Sequence, residues 1–163
     1  MTNHDLSLTL ETSDQWIRQR TGIMRRRIAA EDQSASTLAI PAGAAAIKEA
    51  GLVPEAVGLV IVASISPDQI MPATASRVAY ALGAENAGAV DLSAGCSGFI
   101  YALAMATGLV ESGIQEHVLV VGAEAISRIL DWEDRSTAVL FGDAAGAVVV
   151  SATYGPNRIL GLD

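Results

Sequence analysis

The sequence is poor in cysteine, lysine, histidine and aromatic residues. Its single cysteine, Cys96, excludes an internal disulfide framework and every multi-cysteine metal site, so no metal is expected. A lone cysteine also fits a reducing compartment, and the expected localisation is cytoplasmic. Lys48 is the only lysine, and 10 basic residues face 18 acidic ones for a formal charge of −8. Such a balance speaks against a nucleic-acid partner. Charged residues make up 17% against 51% hydrophobic ones, which excludes global disorder and allows a sizeable core. The start, Met1-Thr2-Asn3-His4-Asp5, has neither a positive n-region nor an apolar h-region and does not read as a secretory signal. A length of 163 residues predicts one domain, or one half of a larger two-domain chain.

The longest uncharged run is Leu92 to Val110, nearly long enough to span a bilayer. Ser93, Gly95, Ser97, Gly98, Thr107 and Gly108 dilute it, and its character changes at Gly95-Cys96-Ser97-Gly98. It reads as a buried strand, a tight turn and a buried helix, and no membrane partner is expected. Thr12-Ser13-Asp14 ahead of Trp16-Ile17 is a helix start that Gly22 ends. Helices are expected over 36–50, 73–82 and 99–112, each followed by a glycine. Apolar runs at 58–64, 87–93, 118–122 and 147–152 predict strands, with a fifth starting at Ile159–Leu162. Their near-continuous hydrophobicity suits a sheet covered on both faces. Alternating strands and helices, then strands alone, predict an α/β layered fold with a mixed, mostly parallel sheet flanked by helices.

Cys96 falls where the second strand gives way to a helix. A helix N-terminus exposes unpaired amides and carries partial positive charge, which favours a thiolate and can hold a developing oxyanion. Gly95 and Gly98 permit a sharp turn and close substrate approach. The local design suits acyl transfer onto sulfur; the competing reading is a small buried hydrophobe. No general base accompanies the thiol. His4 lies in a polar N-terminal segment, and His117 precedes a strand at the end opposite the expected site. Arg25-Arg26-Arg27 reads as a solvated face along a short strand. Gly142-Asp143-Ala144-Ala145-Gly146 lacks the Lys and Ser/Thr of a P-loop.

Four segments together resemble the N-terminal half of a β-ketoacyl-acyl-carrier-protein synthase III, a thiolase-like condensing enzyme. They are Glu11–Ile17 with Arg20–Ile23, Ser93–Phe99, Asp134–Thr137 and Phe141–Ala147. The resemblance implies a thiolase-like layered fold, with residues 1–163 as the N-terminal domain of a duplicated fold and the C-terminal half absent. It implies that Cys96 is the nucleophile acylated by acyl-CoA, which is a substrate, no cofactor being implied. Trp16 would stack on the CoA adenine, Arg20 and Arg135 would lie near the nucleotide and its phosphates, and Thr12 would make a weaker contact. Met71 would cross a dimer interface to floor the partner's acyl pocket, and Phe141 would form a pocket wall. Trp16 as a helix staple and Met71 as core filler are the plainer readings.

The same resemblance sets expectations about what the chain lacks. The family's first strand would be missing from the middle of the sheet. The His and Asn used in condensation belong to the other half. At Ala144 the family has Gly, and a left-handed residue there would cost about 1 kcal/mol. Expected partners are acyl-CoA, acyl carrier protein, and a second copy or a complementary C-terminal half. The function implied is the first half-reaction of decarboxylative condensation with a malonyl-carrier thioester, incomplete in this chain alone. Alternatives are a non-catalytic acyl-CoA-binding or dimerisation module, and a Cys96-dependent thioesterase or simple acyltransferase.

Overall fold

Branched apolar runs build the centre of the molecule. Leu59–Ala63 (β1) and His117–Glu124 (β3) are buried along almost their whole length, as strands covered on both faces must be. In the computed structural model, which describes residues 1–152, these two strands pair in parallel with Leu59 opposite Val118 and Ala63 opposite Gly122. Gly88–Leu92 (β2) adds in parallel to the other side of β1, and Ala144–Ser151 (β4) pairs antiparallel with β3. The order is β2-β1-β3-β4. The sheet is therefore mixed and mostly parallel, as expected. Its middle is continuous: the β1–β3 register leaves no slot for a strand between them. The expectation of a missing central strand is thereby corrected. Ile159–Leu162, the expected fifth strand, lies outside the described residues.

Helices cover both faces. Ala35–Glu49 (α3) and Thr74–Leu82 (α4) pack on one face around Val60, Val62, Val78, Leu119 and Val121. Gly98–Glu111 (α5) packs on the other, where Ala102 and Ala106 meet Ile61, Val118 and Val120. Small residues on α3 and α5 let the backbones approach the sheet closely. A Cβ on Gly43 would sit 3.2 Å from a Leu119 methyl of β3 and 3.0 Å from a Leu82 methyl of α4.

The helix boundaries follow the sequence signals. Ser13 caps Asp14–Thr21 (α2) through the Trp16 amide at 3.1 Å, and left-handed Gly22 closes it at φ 72°. Gly83 does the same for α4 at φ 79°. Asn3–Ser7 also forms a short helix (α1), where the sequence suggested only a polar segment. Thr2 and Asp5 cap it reciprocally, a pairing that needs only four residues. The last helix, Arg135–Ala138 (α6), packs with α1 and α2 in a third cluster of Leu6, Leu10, Ile17, Ala138 and Val139.

Arg26 departs from the solvated reading of the three arginines. Arg25 and Arg27 are exposed, but Arg26 is only 6% exposed. Its Nη2 donates to Asn3 Oδ1 at 2.9 Å and to the Val139 carbonyl at 3.1 Å. Burial lowers its pKa from the usual arginine value. Gly142 explains the close fit, since a Cβ there would meet Arg26 Cβ at 2.8 Å and the Arg27 carbonyl at 2.9 Å.

Candidate active site

β2 ends at Leu92, and the chain turns through a tight 3-10 turn, Gly95–Ser97, straight into α5. Gly95 takes φ 57°, which a side chain would resist. Gly98 serves differently: its φ is ordinary helical, but a Cβ would stand 3.4 Å from Ala63 Cβ, so its smallness seats α5 against β1. Between these glycines Cys96 is exposed, which excludes the reading of a buried hydrophobe. Ser97 makes no side-chain cap bond to α5, and the first amide of that helix, Gly98, donates back to the Gly95 carbonyl.

Cys96 lines a cavity of about 290 Å³ at the C-terminal ends of β1 and β3. Phe99, Ala63, Gly122, Ala123 and Glu124 form its floor and side, and Gly142 and Ala144–Gly146 complete the rim. Glu124 fixes the neighbouring loop. Its carboxylate accepts from the Ile65 amide at 2.9 Å, from Ser64 Oγ at 3.2 Å and from Ser66 Oγ. Ser66 Oγ in turn accepts from the Ala125 amide at 2.9 Å. The ends of β1 and β3 are thus locked together beside the thiol. The sequence reading missed Phe99, Gly122 and Glu124. Phe99 was legible as the next large side chain on the cysteine's helix; the other two required the β1–β3 register.

Asp143 holds the rim. It is 5% exposed and accepts from the amides of Ala29 at 2.6 Å and Ser127 at 2.9 Å and from Ser127 Oγ at 2.5 Å. Its own amide donates to the Arg27 carbonyl at 2.8 Å. Gly142-Asp143 is therefore a structural turn into β4, which begins at Ala144. Ala144 carries no strain, because no non-glycine residue among those described has positive φ.

A second group gathers on α2, α6 and the turn that leads into α2. Arg20 stands 4.2 Å and Arg135 5.0 Å from the centroid of the Trp16 ring. Arg135 Nη1 also donates to the Glu11 carbonyl at 2.9 Å. Thr12 Oγ1, one residue on, is buried with no hydrogen-bond partner among the described residues. Asp134 places Arg135 by accepting from the Ser136 amide at 2.8 Å and from both the Ser136 and Thr137 hydroxyls. Those hydroxyls hold its carboxyl below the usual carboxylate range.

The remaining expected residues lie elsewhere. Met71 is 84% exposed on the loop before α4, so it is no core filler, and it does not line the Cys96 cavity. Phe141 is half-buried and outside the lining; its neighbour Gly142 is in it. His4 is exposed on α1. His117 begins β3, at the end away from Cys96, with Nδ1 2.8 Å from Ser151 Oγ. Among the described residues no three His, Cys, Asp or Glu gather as a metal site, and no helix is long and apolar enough to cross a membrane.

Residues 90–163 match the family of 3-Oxoacyl-[acyl-carrier-protein (ACP)] synthase III. The whole chain is 49% identical over 162 residues to the β-ketoacyl-[acyl-carrier-protein] synthase III of Erythrobacter litoralis, covering 99% of this chain and 50% of the relative. The chain is similar to the N-terminal half of a β-ketoacyl-[acyl-carrier-protein] synthase III. It superimposes on the crystal structure of the 3-oxoacyl-[acyl-carrier-protein] synthase III of Aquifex aeolicus with a TM-score of 0.93 at 49% identity, over 95% of this chain and 50% of that one. The priming β-ketosynthase of the R1128 polyketide pathway is also similar, with a TM-score of 0.91 at 40% identity over 94% of this chain and 46% of that one. The fold is thus the thiolase-like fold of the synthase III family. The chain spans about half the length of the curated relatives it matches.

Proposed function

We propose that Cys96 takes an acyl group from acyl-CoA, as the first half-reaction of a synthase III-type acyltransferase. The observation that carries the reading is an exposed thiol at the start of α5, opening on a cavity walled by Phe99 and glycines. Cys96 Sγ attacks the thioester carbonyl, and the amides at the start of α5 favour the negative charge that develops on oxygen. The tetrahedral intermediate collapses by breaking the carbon–sulfur bond to CoA. CoA leaves as its thiol after gaining the proton that Cys96 gave up. Trp16, Arg20, Arg135 and Thr12 receive the CoA nucleotide, with guanidinium groups suited to its phosphates. No cofactor enters this step.

Condensation with a malonyl thioester on acyl carrier protein needs groups that polarise that thioester during decarboxylation. Neither histidine of this chain is near Cys96, so residues 1–163 act as the N-terminal, acyl-accepting domain of a cytoplasmic enzyme. Its partner is a complementary half or a second copy. The apolar loop carrying Ile70, 96% exposed, and Met71 supports such an interface. Met71 would complete the partner's acyl pocket there, and Phe141 would back the wall next to Gly142.

Intact mass after incubation with acetyl-CoA and longer acyl-CoAs tests this. A gain of one acyl group in the wild type, absent in Cys96→Ser, supports it. Folded protein that stays unmodified overturns it. Steady CoA release without malonyl carrier would favour a thioesterase, and CoA binding without acylation a binding module.

A further inference from the structure

Glu124 belongs to two places at once. It ends β3 and lines the Cys96 cavity, where it is the only other ionisable side chain. Its carboxylate, however, is engaged by the Ser64–Ser66 turn that continues β1. Every proton of that turn runs toward it. The Ile65 amide donates to Oε1 at 2.9 Å, and Ser64 Oγ, at 3.2 Å, and Ser66 Oγ donate to Oε2. Behind them the Ser66 amide donates to Ser64 Oγ at 3.1 Å and the Ala125 amide to Ser66 Oγ at 2.9 Å. Both serines are buried, so neither hydroxyl has water to turn to if the carboxylate moves. The turn must therefore follow Glu124. Among the described residues no hydrogen bond joins Glu124 to Cys96, so its effect on the site runs through the backbone and not through the sulfur.

The turn is also the base of the exposed loop. Pro67, whose ring fixes φ, links Ser66 to Asp68, which is held in its turn. The Asp68 amide donates to Thr74 Oγ1 and its carboxylate accepts from the Ser36 amide, each at 3.3 Å. Gln69 Nε2 donates to the Met71 carbonyl at 2.8 Å. A segment braced this closely has few ways to absorb a shift at its base, and the part left free is Ile70–Met71. We propose that Glu124 is a positioning residue that couples the Cys96 cavity to the Ile70–Met71 loop. An acyl chain seated in the cavity bears on Glu124, Glu124 carries the Ser64–Ser66 turn with it, and the turn resets the apolar pair offered to a partner. The inference rests on the reading that Cys96 accepts an acyl group. It adds that loading the thiol alters the surface presented to the partner, and that engaging this surface alters the cavity in return.

Methyl nuclear magnetic resonance of the full chain tests the coupling, with Met71 assigned through Met71→Leu. Hexyl methanethiosulfonate puts a hexylthio group on Cys96, the only cysteine, by forming a disulfide and releasing methanesulfinate. No acyl-CoA is needed for this, and intact mass verifies the single addition. In the wild type the Met71 methyl signal should move on hexylthiolation, and less with the methyl reagent. Glu124→Ala should start with a displaced Met71 signal and lose most of the response. Glu124→Gln keeps one acceptor oxygen and should restore part of it. Ser66→Ala should weaken the response too, and should add nothing to Glu124→Ala. A Met71 signal left in place by hexylthiolation of the wild type overturns the coupling. So does a full response in folded Glu124→Ala or, should that variant not fold, in Ser66→Ala. A Met71 response to the thiosulfonate in protein that acyl-CoA leaves unmodified supports the coupling and overturns the acyl-CoA reading alone.

Discussion

The Asp91 carboxylate on β2 accepts from the backbone amides of Thr74 and Ala75, each at 2.7 Å. These amides open α4, whose own N-cap, Ala73, has no side chain to offer them. The cap therefore comes from the strand five residues before Cys96, and it ties the Met71 loop to the Cys96 turn. Asp91→Ala is expected to cost about 1–2 kcal/mol, as lost caps do, measured by urea denaturation. It should also slow Cys96 acylation, whereas an equally destabilising change on the exposed end of α3 should not.

Asp143 offers a sharper stability test. Its two amides and one hydroxyl have no alternative acceptor once the carboxylate is gone. Asp143→Ala should lower stability by about 3 kcal/mol or more, because several buried donors are left unpaired. Asp143→Asn keeps one acceptor oxygen and should lose about half as much, read as the ordering of the three Tm values.

Gly122 and Phe99 define the back of the cavity. A Cβ on Gly122 would lie 3.2 Å from Phe99 Cδ2, so a methyl demands a small shift of the ring and a valine a large one. Gly122→Val should push Phe99 toward the cavity and lower the rate of Cys96 alkylation by a bulky maleimide more than by iodoacetamide. Equal slowing with both reagents would refute this placement of Phe99.

Acid should loosen the fold from its rims. Side-chain and backbone hydrogen bonds hold Asp134 and Asp5 below the usual carboxylate range. At Asp68 burial pushes the pKa up, but bonds from Ser34 and Ser36 outweigh it, and the net shift is downward. A carboxylate lowered in the folded state stabilises above its unfolded pKa, and that contribution disappears as pH falls through the folded value. Stability should therefore be flat above about pH 5 and fall progressively below about pH 4. Asp134→Asn should lessen the acid-sensitive part of the change at the Arg135 turn, followed through Trp16 fluorescence.

Ile70 and Met71 stand out from the surface on a loop that Asp68 pins to α3 through the Ser36 amide. Such a held apolar pair should drive self-association. Ile70→Ser combined with Met71→Ser should shift sedimentation toward smaller species without lowering the unfolding free energy by more than about 0.5 kcal/mol, the usual scale for surface changes.

Local signals carried most of the fold. The Gly22 and Gly83 helix ends, the Ser13 cap, and the strand–turn–helix reading of Leu92–Val110 all follow from residues next to one another in sequence. Short-range physics is enough for these, since caps, left-handed glycines and hydrophobic period act within one or two turns. The α1 helix escaped notice because its reciprocal cap, Thr2 with Asp5, sits in a segment without apolar period. The continuous sheet escaped because strand order depends on which crossovers pack best, which no single strand encodes.

The site divides along the same line. The sequence by itself determined that a lone thiol would sit between two glycines at the start of a helix, because the turn and the helix are local. It also marked Trp16 with Arg20, four residues apart and so on one face of one helix. The tertiary structure alone decided what meets them. Parallel pairing of β1 and β3 brings Glu124 and Gly122 to the thiol. The packing of α6 on α2 carries Arg135 across 119 positions onto Trp16. Burial against Asn3 and Val139 turns one of three adjacent arginines, Arg26, inward while its neighbours remain in water.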